Sequence, residues 1–204
     1  MIALDIETSG IDFDKCGIWQ IGAVDLDNPE NIFLEESRID GEDFVLNDPN
    51  VKKTVFEVIG KTEKQLRDEN KQSQKELLHS FFNWVIKINA KNCLCQNPQF
   101  DLSFIFSKAR KYALNIPLHH RAFDLHSVAQ IKYLELHNKL LIKDKISDMN
   151  LTNILNFCGM KDNRGIHNAL EDAKLTAECF SRLAYGKILF SAFKEFKIPE
   201  YLLK

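Results

Sequence analysis

The sequence has no run of eighteen apolar residues, so no membrane-spanning helix is expected. No basic segment followed by an apolar one opens it, so no signal peptide is read there, and a strand-like segment starts at Ile2. Cys-x-x-Cys pairs are absent. The five cysteines, Cys16, Cys93, Cys95, Cys158 and Cys179, are odd in number and mostly have apolar neighbours. That argues against a disulfide framework or a zinc site and for small buried hydrophobes in a reducing, cytoplasmic setting. A basic excess is missing too: 27 Lys and Arg stand against 29 Asp and Glu, a net charge of −2. A high-affinity duplex-DNA binder would be more basic, whereas few phosphate contacts, or a site that recruits cations, fit this balance. There is no internal repeat and no low-complexity segment.

What is present is an ordinary globular balance, 45% hydrophobic and 27% charged over 204 residues, enough for one domain. Ile2–Glu7 alternates apolar and acidic residues like a strand, and Ser9-Gly10 ends it. Ile18–Leu26 and Ile32–Ile39 read as two further strands around Asp27-Asn28-Pro29, an antiparallel meander. Asp40–Gln72 is polar and irregular, with a short helix after Thr62, which Gln65 helps to cap. Ser73 and Glu76 form a capping box before a helix striped by Leu77, Phe81, Trp84, Val85 and Ile88. A buried strand at Asn92–Gln96, a helix over Pro98–Leu114 and a short strand at Ala122–Asp124 follow. Helical segments then run through Leu136, near Leu151–Phe157 ending at Gly159, and over Ala169–Tyr185. The order predicts a mixed sheet flanked by helices, with residues 1–185 as the main body and 186–204 as a helical extension of the same domain.

Certain polar residues carry chemistry. Asp5 and Glu7 are two apart on a strand, so both carboxylates share a face while Leu4 and Ile6 turn into apolar packing. Alone, such a pair reads as a solvated strand face, but the first strand of such a sheet is often central, where paired charges need a partner. Asp101 falls in the first turn of the helix that Asn97 caps and Pro98 begins, where an acid ordinarily compensates the helix dipole. Asn168 and Glu171 form a capping box, which puts His167 at N′ and Asp172 at N4. Those positions touch in a hydrophobic staple, so here a base would sit beside an acid. Taken singly, this pair reads as a surface histidine and an exposed aspartate. Asp124 serves as an N-cap, His119-His120 as a surface turn, and Lys108, Arg110 and Lys111 as a solvated helix face.

Together, Asp5, Glu7, Asp101, His167 and Asp172 form an ordered set. In that order and spacing the sequence resembles the DEDDh 3′→5′ exonucleases, the superfamily of polymerase proofreading subunits, RNase T and oligoribonuclease. The first motif appears as Leu4-Asp5-Ile6-Glu7-Thr8-Ser9-Gly10, the second as Gln96-Asn97-Pro98-Gln99-Phe100-Asp101, and the third as His167-Asn168-Ala169-Leu170-Glu171-Asp172-Ala173. Weaker echoes are Gln20-Ile21-Gly22-Ala23, Phe123-Asp124-Leu125 and Leu151–Gly159, so the resemblance covers roughly residues 2–185. Three ordered motifs are far more specific than one. Departures are Ser9 where Thr is more frequent, Gln20 where many members have Glu, and Cys95-Gln96 where Gly-His commonly precedes the asparagine.

The resemblance implies an α/β, RNase H-like, mixed five-stranded sheet flanked by helices. It implies removal of nucleoside 5′-monophosphates from the 3′ end of single-stranded DNA or RNA. Clustered carboxylates call for hard divalent cations with oxygen ligands, Mg²⁺ or Mn²⁺. The family implies two of them, with Asp5 bridging, Glu7 and Asp172 completing the first site, and Asp101 supporting the second. His167 would be the general base. Thr8, Gly10, Ile11, Asn97 and Phe100 would hold the terminal nucleotide, while Gly10 reads equally as a turn, Asn97 as a cap, and Ile11 and Phe100 as core. A polymerase partner or a homodimer stays open, and so does a competing reading in which the same fold is a non-catalytic polymerase- or nuclease-binding module.

Overall fold

A computed structural model describes residues 1–41, 43, 57, 60–165 and 168–203. Strands β1 (Ile2–Thr8), β2 (Ile18–Asp25) and β3 (Ile32–Glu36) form the antiparallel meander. Strand β4 (Cys93–Cys95) adds in parallel to the other side of β1, and β5 (Phe123–Asp124) adds in parallel to β4. The result is a five-stranded mixed sheet in the order β3-β2-β1-β4-β5, with the acidic strand β1 at its centre.

Among the described residues, helices α1 (Glu63–Leu66), α2 (Gln74–Lys87), α3 (Pro98–Lys111), α4 (Leu125–His137), α5 (Leu151–Phe157) and α6 (Ala169–Tyr185) accompany the sheet. Except at α3, their starts carry side-chain caps. Thr62 and Ser73 both close capping boxes, Asp124 accepts from the backbone of His126 and Ser127, and Asn168 accepts from Leu170 and Glu171. A separate hairpin, β6 (Ile142–Lys143) with β7 (Ile146–Ser147), was not anticipated. Its turn residues Asp144 and Lys145 have φ of +50° and +66°, and that Asp-Lys pair lacks the glycine that usually advertises such a turn.

Side-chain alternation on β1 divides the interior. Ile2, Leu4 and Ile6 enter one core with Leu77, Phe81 and Phe104 of α2 and α3. Ala3 points the other way, into a second core with Leu125, Ile154, Leu155 and Phe180 of α4, α5 and α6. Asp5 and Glu7 continue the parity of Ala3, so they project on the side covered by α6. All five cysteines are buried thiols outside any disulfide, in keeping with their apolar neighbours.

The segment after α6 contains two single 3-10 turns, Ser191–Phe193 and Glu200–Leu202, and lies on the second core through Phe190, Phe193, Phe196 and Leu202. It is tied to α6 by a fully buried ion pair. Glu178 accepts from Arg182 Nε at 2.7 Å and from the backbone N–H groups of Leu189 and Phe190 at 2.9 Å each. Arg182 also donates to the carbonyls of Cys158 and Phe193, both at 3.1 Å.

Candidate metal centre

Strand β1 and the first turn of α6 bring Asp5, Glu7 and Asp172 together: each offers a carboxylate oxygen, and these lie within 4.8 Å of one another. Two features of β2 permit this approach. Gly22 stands opposite Asp5 in the ladder, and a Cβ there would come within 2.2 Å of Ala169 C and Leu170 N. Gln20, opposite Glu7, accepts the Ala169 N–H at 2.8 Å, satisfying one of the four N-terminal donors that an α-helix leaves open. Between Glu7 and Thr8 the β1–β2 register shifts, since Thr8 pairs with Ile18. Such a bulge bends a strand locally and re-aims its side chains.

Glu7 and Asp172 are 7% and 5% exposed, while Asp5 is partly exposed. Asp101, 3% exposed, adjoins the trio from the first turn of α3. Burial first, then the charges of Asp101, Asp172 and Glu7, push the Asp5 carboxyl well above its ordinary range. Burial likewise raises Asp101, and Glu7 adds to it; N–H groups of Asp101 and Ile6 and the Cys95 thiol oppose the rise, leaving a pKa of about 8. So many carboxylates sharing one buried spot are a poor resting place for protons alone. An all-oxygen donor set of this kind fits a hard divalent cation.

One cation of the chain already leans on the cluster. Arg164 Nη1 donates to Asp172 at 3.2 Å, and its charge partly relieves Asp5. Its Nε and Nη2 donate to Asp162 at 3.0 and 2.8 Å, and Nη2 to Thr152 at 3.2 Å. Asp162 is thereby held well below the usual carboxylate range, and Arg164 above its own. Sequence reasoning passed over Arg164; the only signal is its place, five residues before Ala169, on the approach to the third motif.

The remaining expected residues divide. His167 lies outside the described residues. Thr8 donates from Oγ1 to the Gly10 carbonyl at 2.6 Å, Gly10 is buried, and Ile11 is 52% exposed. Phe100 is half-buried against Phe104, with ring centroids 5.0 Å apart, and so belongs partly to the core. Asn97 does stand at the cap position of α3, but it adopts a left-handed φ of +75° and makes no side-chain capping bond. Its backbone N–H goes to Asp124 Oδ1 at 3.2 Å, which spends the residue on joining β4 to β5 and leaves its side chain exposed.

The basic cluster on α3 also differs from its expected solvated state. Lys108 is 1% exposed and meets Asp43 at 3.1 Å; Lys111 meets the same carboxylate at 3.0 Å. Asp43 takes a further bond from Gln74 at 2.7 Å, and its carbonyl accepts from Ser9 Oγ and from the Gly17 N–H. Asp43 thus binds α3 to the loop that follows the first motif.

Residues 2–180 match the family profile described as RNase_T, exonuclease. The chain is 26% identical over 182 residues to the DNA polymerase III PolC-type of Caldanaerobacter subterraneus subsp. tengcongensis, covering 89% of this chain and 11% of that protein. Its fold is similar to E. coli exonuclease I in complex with a 5cy-dT13 oligonucleotide, with a TM-score of 0.66, 15% identity, and 91% of this chain against 41% of that one covered. It is also similar to a 3′-exonuclease that recognises the 3′ end of a histone mRNA stem-loop, with a TM-score of 0.66, 14% identity, and 93% and 64% covered. The chain therefore spans about a tenth of that polymerase and less than two thirds of either nuclease.

Proposed function

This chain belongs to the RNase_T exonuclease family, the DEDDh 3′→5′ exonucleases, and from that premise we propose that it shortens single-stranded nucleic acid from the 3′ end, releasing nucleoside 5′-monophosphates. The observation that carries the proposal is the meeting of Asp5, Glu7 and Asp172 from two distant stretches of chain, with Asp101 alongside. Two Mg²⁺ or Mn²⁺ ions fit this donor set. Asp5, Glu7 and Asp172 would hold one, and Asp5 with Asp101 the other. Such ions supply Lewis-acid charge at phosphorus during an in-line displacement.

The chain's own groups do the rest. His167, one residue before the cap of α6, takes the proton of the attacking water; an ordinary imidazole pKa near 6.5 suits that task at neutral pH. Thr8, Gly10, Ile11, Asn97 and Phe100 form the pocket of the terminal nucleotide, with exposed Ile11 offering an apolar surface to a base. A base must leave any stack to enter such a pocket, which favours a single strand. One of the two nucleases of similar fold is named with a DNA oligonucleotide and the other with an mRNA stem-loop, so the proposal takes both sugars. Likeness to a stretch of a polymerase supports proofreading as one setting for the activity.

The test is a 5′-labelled oligonucleotide, DNA or RNA, incubated with the protein and Mg²⁺ or Mn²⁺, with a chelated control. Stepwise shortening with mononucleotide release is the expected result. An intact 3′ end with either ion, in a folded protein, would overturn the proposal and leave the non-catalytic binding module.

A further inference from the structure

Helix α3 ends in three cations, and their fates differ. Lys108 and Lys111 both pair with Asp43, whereas Arg110 is exposed and meets no carboxylate among the described residues. Arg110 lies on the outer stripe of α3 with Gln99, Ser103 and Phe106, a helical spacing of three to four. This stripe lines a groove of about 370 Å³ together with Phe13, His120 and Ala122. Phe13 is 40% exposed and is held edge-on against Phe104, with centroids 6.5 Å apart. Across Ala122 a second groove of about 550 Å³ begins, lined by Lys91, His119, Arg121 and Phe123. Phe123 is 46% exposed and held by Phe180 at 6.3 Å. Where the grooves meet, the His119 N–H donates to the Lys91 carbonyl at 2.8 Å, and the rings of His119 and His120 lie 4.2 Å apart at a tilt of 31°.

No Asp or Glu is among the described residues that line either groove. On a chain with a net charge of −2, the two grooves, joined at Ala122, therefore carry Lys91, Arg110 and Arg121, two histidines and two half-exposed aromatic rings, Phe13 and Phe123. Alternating cations and aromatic faces are what a single-stranded nucleic acid requires: phosphates meet the charges and bases stack on the rings. The joined groove also starts in the right place. Pro98 and Gln99 line its first part, in the same helical turn as Asp101. From there to Arg110 the helix rise gives roughly 18 Å of track.

We infer that the outer face of α3, together with the loop from Pro117 to Phe123, is the track for the part of the strand that lies 5′ of the nucleotide being removed. The inference rests on the reading of the metal centre as a 3′-end nuclease. Arg110 and Arg121 pair with strand phosphates, and Phe13 and Phe123 stack on bases. A track of this kind makes affinity depend on strand length beyond the terminal nucleotides.

Anisotropy of 5′-fluorescein dT2 and dT12, with metal chelated so that nothing is cut, tests the track without requiring turnover. Arg110→Glu and Arg121→Glu, both at exposed positions, should each weaken dT12 binding roughly tenfold and lower its salt slope by about 0.7, the share of one phosphate contact. Phe13→Ala should weaken dT12 as well, and its loss should shrink on an abasic strand of equal length. In all three variants the penalty should grow from dT2 to dT12. Unchanged dT12 affinity in both arginine variants would overturn the inference, as would equal wild-type affinity for a polyglutamate peptide of similar charge. Wild-type cleavage of thymidine 5′-monophosphate p-nitrophenyl ester with Mn²⁺ separately decides the nuclease reading. Cleavage with insensitive dT12 binding sinks the track alone, and length-dependent binding without any cleavage sinks the nuclease reading alone.

Discussion

Gly22 and Asp5 face each other across the β1–β2 ladder, and the side chain that Gly22 lacks is the space in which α6 begins. A Cβ at 22 would lie 2.2 Å from Leu170 N and 2.5 Å from the Ala169 carbonyl oxygen, and both are backbone atoms that cannot swing aside. Gly22→Ala must therefore push the first turn of α6, and Asp172 with it, away from Asp5 and Glu7. The expected cost is about 1–3 kcal/mol of stability, as for other overpacking changes. Nuclease activity should fall further than stability does, even at temperatures where the variant is folded. A thermal melt alongside a rate on labelled oligonucleotide measures both, and a wild-type rate would show that the close approach is not needed.

The buried pair of Glu178 and Arg182 is saturated, since Glu178 also accepts two backbone N–H groups of the C-terminal segment. Removing one partner leaves an uncompensated buried charge, which typically costs 3–5 kcal/mol, roughly. Arg182→Met should thus lower the melting temperature strongly. It should also speed hydrogen exchange at Leu189 and Phe190, whose amides depend on Glu178 keeping its place. Slow exchange there in a destabilised variant would refute the link between the pair and the segment.

Much of this fold could be read in the sequence because its signals were local. The start of α6 was legible from its cap, Asn168, and the structure ends it at Gly186, with φ of +63°. The parity of Asp5 and Glu7 followed from strand alternation alone. The hairpin of β6 and β7 escaped because left-handed Asp144 and Lys145 carry no glycine. Lys108 escaped because its partner, Asp43, is 65 residues away in a polar stretch that has no periodicity. Gln20 reads in sequence as a lost acid. In space its amide does two jobs at once, accepting from Ala169 and donating to Glu36 at 3.2 Å, and a carboxylate could do only the first.

His167→Ala should cut turnover by about 10²–10⁴-fold, the usual scale for loss of a general base. Because the imidazole is assigned a proton and no ion, Mn²⁺ binding by calorimetry should survive the change. Turnover close to wild type would remove His167 from the mechanism. Loss of Mn²⁺ binding would make it a ligand instead.

The raised carboxyls make stability depend on pH in a definite direction. Asp101 holds its proton to about pH 8 in the folded chain, whereas an unfolded aspartate releases it near 4. Between those values the folded state binds more protons, so the metal-free protein should lose stability as pH rises through this window. Below pH 4 the opposite sign appears: Asp162, held low by Arg164, must protonate, and stability falls again with acid. Divalent cations replace the missing protons at high pH, so Mg²⁺ should raise the melting temperature much more at pH 8 than at pH 5. A flat metal-free profile from pH 5 to 8 would count against the crowding of these acids.

Asp5→Asn tests the same crowding without changing pH. Asp5 carries the charge that burial and its three carboxylate neighbours all oppose, so neutralising it removes repulsion at almost constant volume. The metal-free variant should melt higher than the wild type at pH 8. It should also lose most of the stabilisation by Mg²⁺ and fall in activity by orders of magnitude, because Asp5, the residue that would hold both ions, no longer offers a charged carboxylate. That combination, a more stable protein with a poorer site, is what function bought at the expense of stability looks like. A variant less stable than wild type at pH 8 without metal would mean that Arg164 already balances the cluster through Asp172, and that the charge of Asp5 is not the strained one.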